Sequence, residues 1–219
     1  MSDLPIAGLQ RFGLSDYPGC VTATVFTQGC NFRCPYCHNG QLVALAAAGD
    51  LVPNEELWRF LESRRQYLDG VVVSGGEPTI HAVLPAVLER LRALGFRVKL
   101  DTNGSNPGML RALFGARLVD YVAMDVKAPL RDQAYRRLSG VGVRVADIRE
   151  SIQMIADADV DHEFRTTHVP SLHADGDLSA IRASLPPSSP WRIQRFRPER
   201  ALDVRLRLHE AEGCTPPEP

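Results

Sequence analysis

Short β-branched and apolar runs alternate along this chain with stretches whose apolar residues recur every three or four positions, the pattern of strands exchanging with helices. Residues 21–27 (VTATVFT) predict a strand, since β-branched side chains suit a pleated, half-buried surface. Residues 55–67 predict a helix: Leu57, Phe60 and Leu61 form one stripe, Glu55 and Glu56 occupy the first turn, and Asn54 is the candidate cap. Residues 70–74 predict a buried strand, and residues 83–94 a helix that Gly95 ends. Strands over 97–101 and 121–125 flank a short helix over 108–114. Residues 128–142 carry no clear period and predict a looser connection. A helix over 145–158, a fifth strand over 163–169, a helix near 178–183 and a strand over 191–196 complete six strand and helix units.

Such alternation predicts a parallel sheet with helices outside, in which ligands collect at the carboxyl ends of the strands. The polar residues fall where that rule places a site. A cysteine-rich loop follows the first strand, and Ser74-Gly-Gly-Glu-Pro78 follows the second. Asp101-Thr-Asn-Gly104 ends the third, Asp125-Val-Lys127 ends the fourth, and Arg165-Thr-Thr167 lies on the fifth. Each alone reads as a turn or a solvated charge; five on one rim read as a site.

The loop is Cys30-Asn-Phe-Arg-Cys34-Pro-Tyr-Cys37, which offers three thiolates to one centre and leaves a coordination position open. A structural zinc site closes its shell with four protein ligands, whereas an iron–sulfur cluster held by three cysteines keeps one iron free for a ligand. Narrower windows spell other motifs. Cys34-Pro-Tyr-Cys37 alone matches a redox dithiol, but leaves Cys30 unexplained. With His38 the window matches c-type haem attachment, which requires export, and residues 1–9 lack the basic start and long apolar run of a signal peptide. His38 as a fourth zinc ligand would crowd two adjacent residues onto one ion.

Composition narrows the picture to an α/β enzyme of one domain. The 219 residues are 44% hydrophobic and 23% charged, which argues against disorder and membrane spans and gives a chain able to bury a sizeable core. A formal charge of −1 gives no reason to expect nucleic acid or an anionic membrane as partner. Five cysteines, three of them at ligand spacing, argue against a disulfide framework and for a cytoplasmic setting. Cys20, opening an apolar run, is expected to be a small buried side chain, and Cys214 to lie in a frayed, disordered tail over 211–219.

Taken together, Cys30, Cys34, Cys37 and Gly75-Gly76-Glu77-Pro78 resemble the radical S-adenosylmethionine superfamily. That resemblance implies an incomplete (β/α)6 TIM-like barrel, here one domain over 1–210 with its core at about 12–198. Within the superfamily the chain resembles the activating enzymes of glycyl radical proteins, and among them the type that serves anaerobic ribonucleoside-triphosphate reductase. The narrower match is carried by Ser15-Asp-Tyr-Pro-Gly19, Phe26-Thr-Gln-Gly-Cys30, the loop onward to Asn39, Asp101-Thr-Asn-Gly104, Met124-Asp-Val-Lys127 and Phe164-Arg-Thr-Thr167. The chain has no further cysteine-rich insert, which favours the small reductase-activating type.

The resemblance implies a [4Fe-4S] cluster on Cys30, Cys34 and Cys37, with S-adenosylmethionine on the open iron. It places Gly75, Gly76 and Glu77 at the methionine amino group, Tyr36 near the adenine, and Asp101 and Thr102 facing the cofactor. Asp101 and Asp125 would hold a monovalent cation, for which carboxylate oxygens are suited. Lys127 and Arg165 either pair with the methionine carboxylate or form structural ion pairs with Asp125 or Glu163. Asn39 is expected to close the loop through its side chain, and His168 and His173 carry no assigned role. The implied partners are a glycyl radical protein, namely the large subunit of anaerobic ribonucleotide reductase, and an electron donor of flavodoxin or ferredoxin type. A small-molecule radical enzyme such as 7-carboxy-7-deazaguanine synthase is the alternative, although its loop continues Cys-Asp-Thr where this chain has Cys37-His38-Asn39. A redox or metal-carrying module built on Cys34 and Cys37 is a third reading.

Overall fold

The structure is a computed structural model that describes residues 3–45 and 49–209. The tail expected from 211 onward, with Cys214, lies outside the described residues. Seven strands form one sheet in sequence order: β1 (Ile6–Gly13), β2 (Thr22–Thr27), β3 (Gly70–Gly75), β4 (Arg97–Thr102), β5 (Tyr121–Asp125), β6 (Asp161–His168) and β7 (Trp191–Arg195). All neighbours from β2 to β7 run parallel, as expected for six strand and helix units. β1 and β7 are the two ends of the sheet, so the barrel stays open.

The helices are α1 (Asn54–Arg64), α2 (Leu84–Ala93), α3 (Pro107–Gly115), α4 (Asp132–Ser139), α5 (Val145–Asp157), α6 (Asp177–Ser184) and α7 (Val204–His209). Four details depart from the pattern reading. β1 is an added antiparallel strand, paired with β2 through irregular steps at Ile6/Gly8 and Gln10/Gly13 that blur its alternation. α1 begins one residue early, after Pro53, and Asn54 does not cap it; its side chain donates to the Leu4 carbonyl at 2.8 Å. α4 occupies most of the stretch expected to be loose. It is one short amphipathic segment that buries Ala134, Tyr135 and Leu138 and stops at Gly140, whose φ of +71° suits a left-handed cap. α3 gains a cap from Asn106, which accepts from the Met109 N–H at 3.1 Å.

Alternation along the strands sets the two faces of the sheet. Val71, Val73, Val98, Leu100, Val122, Met124 and Phe164 turn outward into the main apolar core, where the buried leucines of α1, α2 and α3 meet them. The alternate residues line the interior: Val72 and Ser74, Lys99 and Asp101, Tyr121 and Asp125, Arg165 and Thr167. At the amino ends of the strands Tyr17 fills that interior. It is 1% exposed, packs with Cys20 and Val72, and lies 5.4 Å from the Tyr121 ring with the Arg97 guanidinium 5.0 Å away. Cys20 is buried as expected, with Arg97 Nη1 3.4 Å from its sulfur. The interior therefore has a closed lower end and an upper end lined by polar groups.

Candidate active site

Every expected site residue reaches one cavity of about 290 Å³ at the carboxyl ends of the strands. Around it stand Cys30, Cys34 and Cys37 from the loop after β2, Tyr36 between them, Gly75, Gly76 and Glu77 after β3, Asp101 and Thr102 on β4, Asp125 and Lys127 at the end of β5, and Arg165 on β6. A surface hollow at the opposite end of the strands, beside Arg97 and Asp120, is larger at about 780 Å³ but carries none of these residues.

The cysteines are free thiols, Cys34 buried and the other two half-buried. A turn from the Cys37 N–H to the Cys34 carbonyl (3.0 Å) sets their spacing, and the Phe32 N–H donates to Cys30 Sγ at 3.3 Å. Burial raises the Cys30 thiol and pushes Cys34 up to about 11, so binding a metal centre here must release protons. Among the described residues no three ligating side chains converge on a single ion. Three soft thiolate donors around one cavity suit iron–sulfur ligation. His38 is engaged on the loop's far side: it stacks on Phe196 at 5.9 Å, and its Nε2 accepts from the Arg197 N–H at 3.3 Å. Asn39 makes no side-chain capping bond, contrary to expectation; the turn closes through its carbonyl, which accepts from the Leu42 N–H.

The loop is fastened on three sides. Asn31 donates to Ser105 Oγ at 2.7 Å and accepts from Asn103 Nδ2 at 2.9 Å, while Arg33 N–H reaches the Ser139 carbonyl at 2.8 Å. The Pro35 carbonyl accepts from the Asp203 N–H at 2.8 Å. Sequence reasoning quoted Asn31 and Asn103 as motif members without seeing that their amides meet across 72 positions of chain.

Gly75 and Gly76 are small because β3 ends hard against β2. A Cβ on Gly75, whose φ is +125°, would lie 2.2 Å from the Thr27 nitrogen, and one on Gly76 would lie 2.0 Å from the Gly29 carbonyl oxygen. The Gly76 and Glu77 N–H groups bond the Thr27 and Gly29 carbonyls at 2.9 and 2.8 Å. Glu77 is 1% exposed, and its carboxylate accepts four hydrogen bonds. Thr79 N–H (3.1 Å), Thr79 Oγ1 (2.5 Å) and Thr102 Oγ1 (2.7 Å) reach Oε1, and the Asn103 N–H (2.6 Å) reaches Oε2. A carboxylate has about four such positions, so Glu77 is a clamp between the loops after β3 and β4. Burial raises its carboxyl above the usual range, and these bonds oppose the rise.

A row of alternating charges crosses the cavity floor. Lys99 Nζ meets Asp101 Oδ1 at 2.7 Å, Arg165 lies between Asp101 (3.5 Å) and Asp125 (3.0 Å), and Lys127 Nζ meets Asp125 at 3.3 Å. Ser74 Oγ also donates to Asp101 at 3.1 Å. Burial opposes the charged form of Asp125, but Arg165 and Lys127 outweigh it and hold the carboxyl below its ordinary value. Burial opposes the charged forms of Lys127 and Arg165 too, but Tyr36 and Asp125 around Lys127, and Asp125 and Asp101 around Arg165, raise both. The structural ion pairs with Asp125 are thus formed for both cations, while Glu163 pairs with Arg192 at 3.4 Å. Lys99 went unnoticed in the sequence, although its strand alternation, Val98 and Leu100 outward, placed it beside Asp101. Gln194 and Thr167 also reach the cavity, and Phe196 packs edge-on to Tyr36 at 6.4 Å.

Comparison with known proteins bears on the family and the fold. The family described as the radical SAM superfamily matches residues 24–175. A Methanocaldococcus jannaschii protein provisionally named as a glycyl-radical enzyme activating enzyme is 34% identical over 92% of this chain and 84% of its own length. The pyruvate formate-lyase-activating enzyme of Clostridium pasteurianum is 33% identical over 65% of this chain and 60% of its own. The 7-carboxy-7-deazaguanine synthase of Aquifex aeolicus is 37% identical over 36% of this chain and 34% of its own. Among solved structures, Streptococcus suis SuiB bound to its precursor peptide SuiA superposes with a TM-score of 0.63 at 12% identity, over 85% of this chain and 44% of that one, a likeness of fold. The chain belongs to the radical SAM superfamily, among relatives that include glycyl-radical enzyme activating enzymes. It is a radical SAM enzyme with an open α/β sheet, and membership implies a [4Fe-4S] cluster and S-adenosylmethionine. Among the described residues no helix is long and apolar enough to cross a membrane.

Proposed function

We propose that this chain reductively cleaves S-adenosylmethionine and abstracts a hydrogen atom from a glycine of a partner enzyme, leaving a stored glycyl radical. The observation that carries the reading is the meeting of the three thiols with the Gly75-Gly76 turn around one cavity, in a chain similar over most of its length to an activating enzyme. Bound there, the cluster and the sulfonium nucleotide supply one electron and a 5′-deoxyadenosyl radical.

Cys30, Cys34 and Cys37 hold the cluster. Glu77 keeps the loops after β3 and β4 in register so that main-chain groups of Gly75 and Gly76 meet the methionine amino group. Lys127 and Arg165, anchored by Asp125, present positive charge to the methionine carboxylate. Asp101 and Thr102 would face the cofactor, Tyr36 would lie near the adenine, and a monovalent cation would join Asp101 and Asp125 only by displacing one of their present cationic partners. The buried walls keep water from the reacting atoms. The Ser15–Gly19 and Met124–Lys127 motifs and the lack of a cysteine-rich insert support the large subunit of anaerobic ribonucleotide reductase as the partner, in the cytoplasm, with a flavodoxin or ferredoxin as donor.

Anaerobically reconstituted protein, reduced and given S-adenosylmethionine, is expected to release 5′-deoxyadenosine, and Cys30→Ala to release none. An intact cluster without that product would refute the reading. With the reductase added, electron paramagnetic resonance is expected to record a glycyl radical doublet. The second reading, a deazaguanine-forming enzyme, draws on the likeness to the Aquifex aeolicus synthase; turnover of a pterin substrate with no doublet would establish it instead.

A further inference from the structure

The segment Trp191–Arg207 holds six arginines, at 192, 195, 197, 200, 205 and 207, against only Glu199 and Asp203, a local charge of +4 in a chain of −1. Four of them, Arg192, Arg195, Arg197 and Arg200, line one open groove of about 810 Å³ along β7. β7 is an end strand of the sheet, with β6 as its partner. Ile193 stands among the arginines, 48% exposed. An exposed apolar residue flanked by arginines suits a protein interface, and although Arg192 is paired with Glu163 and Glu199 shares the lining, the excess of positive charge draws an acidic partner.

The groove backs directly onto the cysteine loop. His38, next to Cys37, lines both the groove and the cavity, as do Thr167 and Gln194. Its ring stacks on Phe196 at 5.9 Å, Phe196 meets Tyr36 at 6.4 Å, and the Arg197 N–H bonds His38. Resting on the reading above, that the cysteines hold a reducible cluster, we propose that this arginine groove is the docking face for an acidic one-electron carrier protein. The reduced carrier gives up one electron and is oxidised by one; the cluster gains that electron, and no bond or proton moves at this surface.

The test compares two reductants on the loaded enzyme: reduced flavodoxin, which must dock, and dithionite, which need not. The variant is Arg197→Glu with Arg200→Glu, and Arg197→Lys with Arg200→Lys keeps the charge. For the Glu pair, the flavodoxin concentration giving half-maximal 5′-deoxyadenosine release is expected to rise about tenfold at low salt, and its dependence on ionic strength to flatten. The dithionite-driven rate is expected to stay as in the parent, and the Lys pair to restore flavodoxin use. Binding of oxidised flavodoxin to the same proteins, read directly by calorimetry, is expected to weaken in parallel. Unchanged flavodoxin use or binding in the Glu pair overturns the docking face. A glycyl radical yield that falls with dithionite assigns the groove to the protein substrate, which also overturns it. Parent protein that binds flavodoxin through these arginines yet cleaves nothing with dithionite refutes the functional reading while leaving the groove in place.

Discussion

Gly75 and Gly76 leave room for the protein's own backbone, whatever else they meet. Adding a methyl group at Gly76 drives it to within 2.0 Å of a carbonyl oxygen, and main chain on either side has nowhere to go. Gly76→Ala is expected to lose about 3–5 kcal/mol of stability in urea unfolding of the metal-free protein, the scale reached when a close backbone approach is blocked. Glu77 answers to the same measurement. Glu77→Ala leaves the Thr79 and Asn103 N–H groups buried without acceptors, a cost of about 1–3 kcal/mol each. Glu77→Gln, which retains one acceptor oxygen, should fall between parent and alanine. A residue that served the ligand alone would leave metal-free stability unmoved in all of these variants.

At the scale of elements, the connections after β5 and β6 are joined through one imidazole. His173 Nε2 reaches the Lys127 carbonyl at 3.0 Å, and its Nδ1 accepts from the Val169 N–H at 3.1 Å. Burial lowers the folded pKa of His173 below its unfolded value, so the neutral ring contributes stability above about pH 6.5, and that contribution fades as pH falls through the folded value. The urea midpoint is expected to drop between pH 7.5 and pH 5 by more in the parent than in His173→Gln; equal slopes would remove His173 as the cause. The strands from β2 onward were legible because each pairs a β-branched or apolar outer row with turn residues. β1 was not, since its two irregular steps erase the period of two. α4 escaped because eight residues without a side-chain cap give too short a stripe. The rim of polar residues was legible as a set, but their mutual pairing was not: Asn31 with Asn103, Lys99 with Asp101 and Arg165 across two carboxylates depend on register between strands, which only the assembled sheet supplies.

For the whole molecule, the cysteine loop is a node where distant parts of the chain meet: the turn after β4 through Asn31, the end of α4 through Arg33, and the approach to α7 through Pro35. Filling the node should therefore tighten all of them. Iron–sulfur loading is expected to raise Tm by at least about 5 °C, given roughly 2–4 °C per kcal/mol for a chain of this size. Cys30→Ser should abolish the rise without lowering the metal-free Tm to match. A rise equal in parent and variant would mean that iron binds elsewhere.

Tyr17 stops the strand interior at its lower end, and with it any through-passage. With that end filled, the cavity among the cysteines is reached from the carboxyl ends of the strands. A protein partner seated over those ends would cover a nucleotide bound in the cavity, so the layout of the fold would bear on the sequence of binding and release before any affinity is considered.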